Sequence, residues 1–307
     1  MSRAYDLVHR TTYEYDEPVT DSYGRATLTP RHAPGQHVDE VELVVEPTPG
    51  DLASHTDWYG NTSTYFGVTT EHSRLVVTAR SRVTVSREAP DPTTLPRRAW
   101  DDVAAALAAG DGQALGADPD AMVALHEAVL PSLHVTFAGE VREWAAPSFR
   151  PGRPLGELVV DLASRIHDEL EYRTGSTTVH TTQVQLLAQR AGVCQDFAHL
   201  MLAALRLHGV PARYVSGYLE TRPAPGRAKL RGADASHAWV SVWLPGLGWV
   251  DVDPTNDQLV DERYVVLGWG RDYHDVPPLR GVIFSEGSGA RPHVQVDMVP
   301  VGAPRFE

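Results

Sequence analysis

Arg190-Ala191-Gly192-Val193-Cys194-Gln195-Asp196-Phe197-Ala198-His199-Leu200 contains the only cysteine in the chain. The glycine two positions before it suits a tight turn. Phe197 to Leu207 has strong helix character, and Gly209-Val210-Pro211 is a helix stop. Cys194 is therefore expected in the first turn of a buried helix. The N-terminal end of a helix carries partial positive charge and free N–H donors. Both stabilise a thiolate, and the same donors can hold a developing oxyanion. A lone cysteine is more often a small apolar core residue than a nucleophile, so the downstream sequence has to decide.

Downstream the pattern turns to strands. Ala212 to Leu219 reads as one, and Thr221 to Gly232 reads as a loop carrying Arg222, Arg227, Lys229 and Arg231. That loop is either solvated or a lid for an acidic substrate group. In the strand His237 to Leu244, alternation puts His237, Trp239, Ser241 and Trp243 on one face and Ala238, Val240, Val242 and Leu244 on the other, better core face. The first face is expected to be a wide, half-polar display surface. After the turn Gly246-Leu247-Gly248, the strand Trp249 to Asp253 places Trp249, Asp251 and Asp253 on one side. A hairpin brings an Asp beside His237, where a carboxylate orients an imidazole that activates a thiol. Parity cannot separate Asp251 from Asp253. The three tryptophans 239, 243 and 249 either line a groove or pack between domains. His199, five residues past Cys194, faces elsewhere on the helix, and His208 reads as a favourable cation at its C-terminal end.

Upstream, residues 3 to 90 alternate short Val-, Thr- and Tyr-rich runs with turn signals. Arg3–Tyr15, Ser22–Thr29, Val38–Glu46, Thr62–Thr69 and Leu75–Ser86 are the strand candidates, in an antiparallel sandwich of about seven strands. A Pro- and charge-rich linker follows. Helices are expected over Ala99–Ala108, Pro119–Val129, Leu155–Tyr172 and Gln183–Gln189, the last capped by Thr181/Thr182. Past the Trp249 strand, Tyr264–Gly268, Gly281–Phe284 and His293–Val301 are β-like. The order gives an α+β chain: an N-terminal β-domain over 1–90, a linker and helical segment over 91–150, a core over 151–270 and a C-terminal extension with strands over 271–307.

The chain has 307 residues, 27 basic and 40 acidic, for a net charge of −13. That balance argues against nucleic acid or an anionic membrane as the main partner. One cysteine forms no internal disulfide, which makes a reducing cytoplasm the expected compartment. The N-terminal residues lack a signal-peptide apolar run, and no transmembrane helix is expected. There is no His-Glu-x-x-His motif, no second cysteine and no calcium-loop pattern, so neither metal nor cofactor is expected.

Four segments in order then carry a resemblance: Gly192-Val193-Cys194-Gln195-Asp196-Phe197-Ala198-His199, Pro211-Ala212-Arg213-Tyr214-Val215-Ser216-Gly217-Tyr218, His237-Ala238-Trp239-Val240, and Trp249-Val250-Asp251-Val252-Asp253-Pro254-Thr255-Asn256. Together they resemble the bacterial branch of the transglutaminase-like superfamily. His9-Arg10-Thr11-Thr12-Tyr13-Glu14-Tyr15, Leu28-Thr29-Pro30-Arg31 and Asp57-Trp58-Tyr59-Gly60-Asn61 look like the β-domain that precedes that core. Gly270 to Gly281 is similar to the branch's C-terminal end. The resemblance implies a papain-like core with Cys194 as nucleophile, His237 as general acid/base and Asp253, in the Asp-Pro-Thr motif, as the orienting carboxylate. Many relatives have Arg directly after the Cys, where this chain has Gln195. The implied chemistry is acyl transfer on an amide or peptide carbonyl through a thioester. Hydrolysis is favoured over transglutamination, with a protein or peptide bearing an amide or glutamine side chain as substrate. Gln195, Tyr172 and Trp239 are the candidates for a second oxyanion donor or a substrate groove. The competing reading is a non-catalytic binding or assembly module on the same fold.

Overall fold

The computed structural model describes residues 2–221, 236–284 and 290–302. The chain begins with six strands: β1 (Arg3–Val19), β2 (Asp21–Ala26), β3 (Gln36–Glu46), β4 (Asp51–Thr56), β5 (Thr62–Val68) and β6 (His72–Val85). Helices α1 (Trp100–Ala108), α2 (Gly112–Leu115), α3 (Pro119–Glu127), α4 (Gly139–Ala145) and α5 (Leu155–Glu169) follow. Next come β7 (Glu171–Tyr172), α6 (Gln183–Gln189), β8 (Ala191–Gly192) and α7 (Cys194–Leu207). The remaining strands are β9 (Ala212–Leu219), β10 (Ser236–Leu244), β11 (Gly248–Asp253), β12 (Gln258–Leu259), β13 (Tyr264–Gly270), β14 (Leu279–Phe284) and β15 (Ala290–Pro300).

The fold is α+β, with N-terminal antiparallel sheets and a papain-like core. Two four-stranded sheets, ordered β15-β1-β6-β3 and β14-β2-β5-β4, share one apolar core containing Tyr5, Leu7, Phe66, Val68, Val77, Val83 and Met298. The C-terminal strands β14 and β15 are thus members of the N-terminal sheets, pairing antiparallel with β2 and β1. The sequence reading placed about seven strands within residues 3 to 90, whereas this stretch supplies six. It also passed over β4, because every residue of Asp51–Thr56 is exposed and the edge strand has no apolar alternation to read.

The core sheet is ordered β12-β11-β10-β9-β13, with all neighbours antiparallel. Helix α7 packs across β9 and β10. It is buried on every side: Phe197, Leu200, Met201, Leu202, Ala203 and Ala204 have essentially no exposed surface, and Asp196, His199 and Arg206 are buried with them. The face of the sheet beneath α7 is built from Ala212, Tyr214, Ala238, Val240 and Val242. The opposite face carries a second cluster of Val215, Trp239, Tyr264 and Val266. Both faces of β10 are therefore covered. The half-polar display surface expected from alternation is instead interior: Trp239 packs with Val215, Val260, Tyr264 and Val266, and Trp239 and Ser241 are each 0% exposed.

A ladder of cations and indoles ties the β-domain to the core. The Arg31 guanidinium lies 3.3 Å from the Trp269 ring centre, and Arg213 lies 3.7 Å from Trp269 and 4.3 Å from Trp249. Trp243 packs edge-on against Trp249 with ring centres 5.6 Å apart. These tryptophans pack against one another and against the two guanidinium groups. At the far end of α7, the buried Arg206 donates to the carbonyls of Leu130, Ala212 and Arg271. His208 is not the expected cation. Burial lowers its pKa, its Nδ1 faces the Ala204 carbonyl, and its ring stacks on Phe149 at 3.8 Å.

Candidate active site

Helix α7 starts at Cys194, with Val193 as an extended N-cap residue. Asp196, two residues on, closes the helix start from inside: its Oδ2 accepts from the Val193 N–H at 2.9 Å and from Thr177 Oγ1 at 2.7 Å. Burial pushes the Asp196 carboxyl up, and these two donors work against that. Gly192 is not in a turn. It sits in β8, paired in parallel with Tyr172 of β7. A side chain there would place its Cβ 2.6 Å from Leu186 Cδ1 and 3.0 Å from Asp196 Oδ2, so close approach, not backbone freedom, requires glycine. The same pairing ends α5 at Glu169 and turns Glu171–Tyr172 into strand, although periodicity had extended the helix through Tyr172.

His237 opens β10 with its side chain 10% exposed. Its Nε2 donates to Asp253 Oδ2 at 2.7 Å. Cys194, at the first residue of α7, is the other neighbour acting on this imidazole. Burial alone would lower the imidazole pKa. The Asp253 charge, its hydrogen bond and the neighbouring Cys194 sulfur outweigh burial and raise the pKa to about 10. Asp253 shows the complement. It is 0% exposed, and burial pushes its carboxyl up. The His237 charge and donors from His237, Asn256 and Tyr264 bring it below the ordinary carboxylate value. The pair is therefore an imidazolium–carboxylate pair near neutral pH. A charged imidazole beside a sulfur at the start of a helix is the arrangement of an activated nucleophile.

The carboxylate of Asp253 is saturated with donors. Oδ2 takes His237, Asn256 Nδ2 at 2.6 Å and Tyr264 Oη at 2.7 Å, while Oδ1 takes the backbone N–H groups of Thr255 at 2.8 Å and Asn256 at 3.3 Å. Asp251 shares the strand and its parity but not the partners. It accepts from Trp239 Nε1 at 3.2 Å and from Arg87 at 3.4 Å. The expected role of Trp239 as an oxyanion donor or groove wall is corrected by this geometry: the residue is fully buried and its N–H is spent on Asp251. Tyr172 is 53% exposed and packs edge-on against Phe197. Partial burial, followed by the charges of Cys194 and Asp253, raises its pKa. Gln195, next to Cys194 in the chain, is half-buried. His199 is buried in α7, its Nε2 accepting from the Tyr273 N–H at 3.2 Å, away from the thiol. The basic segment with Arg222, Arg227, Lys229 and Arg231 lies outside the described residues.

Asn256 and Tyr264 had not been singled out in the sequence. Asn256 had a signal, since it stands in the Asp-Pro-Thr-Asn segment, but it read as a turn residue. Tyr264 had none; only the pairing of β13 with β9 brings it to Asp253. Among the described residues no cluster of His, Cys, Asp and Glu is arranged to hold a metal ion, and no helix is long and apolar enough to cross a membrane.

Comparison with known proteins adds family and fold. Residues 5–84 match the bacterial transglutaminase-like N-terminal region, and residues 142–254 match the transglutaminase-like superfamily. An uncharacterised protein of Mycobacterium tuberculosis is 46% identical over 305 residues, covering 96% of this chain and 92% of its own. One of Mycobacterium leprae is 35% identical, covering 92% and 94%. A protein-glutamine gamma-glutamyltransferase of Pseudomonas aeruginosa is 44% identical over only 80 residues, 25% of this chain and 12% of its own. Among solved structures, a candidate cysteine protease from Cytophaga hutchinsonii superposes with a TM-score of 0.76 at 19% identity, covering 100% of this chain and 93% of the other. That is a likeness of fold.

Proposed function

This chain belongs to the transglutaminase-like superfamily, and from that membership we propose that it is a cysteine-dependent acyl-transfer enzyme acting on amide or peptide carbonyls of proteins, with water as the acceptor. The observation that carries the reading is His237 Nε2 held 2.7 Å from Asp253, on an imidazole that Cys194 at the start of α7 neighbours closely enough to raise its pKa. The Cys194 thiolate attacks the carbonyl carbon, forming a C–S bond and a tetrahedral oxyanion. The Cys194 N–H at the helix start is the donor we assign to that oxyanion, with Gln195 or Tyr172 as the candidate for a second. The C–N bond breaks as His237 gives its proton to the leaving nitrogen, so ammonia or an amine departs and a thioester remains. Neutral His237 then takes a proton from water, which attacks the thioester. The C–S bond breaks, releasing the acid and restoring thiolate and imidazolium. A thiol that must stay reduced to act fits a reducing cytoplasm, the compartment we propose.

The test is incubation with a glutamine-rich protein, with and without a primary amine. We expect ammonia release or peptide cleavage that Cys194→Ala abolishes. Amine incorporation in place of hydrolysis would move the reaction to transamidation. Absence of all three, with Cys194→Ala indistinguishable from wild type, would leave a binding module.

A further inference from the structure

Behind Asp253 runs a hydrogen-bond chain whose direction is fixed from its outer end. Arg263 on the loop before β13 donates from Nε to both oxygens of Asp261, at 3.0 and 2.8 Å, and from Nη2 to Gln258 Oε1 at 2.7 Å. A guanidinium can only donate, so Gln258 must turn its oxygen to Arg263 and its amide nitrogen inward. That nitrogen faces Tyr264 Oη and donates to it. The phenol oxygen is then an acceptor on that side, and its single proton must go to its other polar neighbour, Asp253 Oδ2, 2.7 Å away. Tyr264 is 0% exposed and its ring packs edge-on against Trp239 at 5.3 Å, so the hydroxyl has no water to turn to and no room to swing. Burial and the Asp253 charge push the phenol well above its ordinary pKa, which keeps the proton in place.

We infer that Tyr264 is a positioning residue for the acyl-transfer reaction: the Arg263–Gln258–Tyr264 chain aims one phenolic proton at Asp253 and so limits how strongly that carboxylate holds the His237 imidazolium. This inference rests on the proposed Cys194–His237 pair. The titratable groups bearing on His237 are Asp253 from β11, Cys194 from α7 and Tyr264 from β13; Tyr172 from β7 couples to the first two. A carboxylate that shares its charge with a phenol O–H attracts an imidazolium less than one without that donor. Without Tyr264's hydroxyl, His237 holds its proton more tightly and yields it less readily to a leaving group.

The test needs no natural substrate. Iodoacetate, itself an anion, reacts fastest with a thiolate that has an imidazolium beside it. Its rate with Cys194 should therefore rise as the thiolate forms and fall along an alkaline limb as His237 loses its proton. In Tyr264→Phe this limb is expected to move up by about one pH unit. Gln258→Glu, which offers the phenol an acceptor in place of a donor and draws its proton off Asp253, should move the limb the same way with Tyr264 intact. Thermal melts establish that each variant is folded. A folded Tyr264→Phe with the wild-type limb overturns the proposal; if that variant does not fold, Gln258→Glu decides on the same criterion. A wild-type protein with no alkaline limb overturns instead the Cys194–His237 pair on which the proposal stands.

Discussion

At the scale of single residues, His237 is under opposing pressures. Burial disfavours its charge, and the Asp253 carboxylate with its hydrogen bonds prevails. The linkage to stability follows from the direction of each shift. His237 is raised from 6.5 to about 10, so its contribution is complete below about pH 6.5 and is lost as pH rises through 10. Asp253 is lowered from 3.8, so its share is complete above that value and is lost as pH falls through its depressed one. The gap in melting temperature between wild type and Asp253→Asn should therefore be widest near pH 5 to 6.5 and narrow steadily toward pH 10; a gap that widens on that climb would contradict the charge assignment. The two strand aspartates should also separate. Asp253→Asn is expected to lower activity by at least about a hundredfold, as loss of an orienting carboxylate does. Asp251→Asn, which loosens Trp239 and Arg87, should cost stability and leave turnover within about twofold. Sequence parity could not make this distinction, because residues two apart on a strand point the same way. Their partners make it: one carboxylate meets an imidazole, the other an indole and a guanidinium.

At the scale of elements, the start of α7 depends on a residue with no chemistry of its own. Gly192 leaves space for Leu186 and Asp196 beside the β7–β8 pair. Gly192→Ala forces Leu186, which is 1% exposed, to shift within the core. We expect about 1–3 kcal/mol of destabilisation from this overpacking, read by urea unfolding, and slower alkylation of Cys194 as the helix end is displaced. An unchanged midpoint would mean the site gives way more easily than its contacts indicate. The Cys helix was legible in advance because an apolar run after a glycine and before Gly-Val-Pro has few alternatives. The burial of His237's face was not, since alternation reports what a strand offers to each side and not what the rest of the chain lays over it. Edge strand β4 and the short helix α4 were missed for a related reason: one is exposed on both sides, the other too brief for a period to show.

At the scale of the whole molecule, the β-domain and the core hold one another. The last strands of the chain complete the first sheets, and Arg31 reaches across to Trp269 while donating to the Tyr59 carbonyl at 2.9 Å and to Asn61 Oδ1 at 2.7 Å. Arg31→Ala is expected to lower stability by about 1–3 kcal/mol through the lost stacking and hydrogen bonds, with Cys194 alkylation unchanged. If alkylation falls in step with stability, the β-domain shapes the site directly. The family and the α+β class could be read from four short segments because each carries chemistry or a turn that the fold needs. The closure of the chain's two ends into common sheets could not, since strand pairing across nearly the full length leaves no local trace in sequence.

The account as a whole turns on whether the sulfur of Cys194 is a thiolate held by His237. The direct measurement is the rate of Cys194 alkylation by iodoacetamide across pH, followed by mass spectrometry on wild type and His237→Ala. Rapid modification of wild type at neutral pH, slowed by about tenfold or more in His237→Ala, is the predicted result. Wild-type modification that is slow at neutral pH and does not change when His237 is replaced would contradict it.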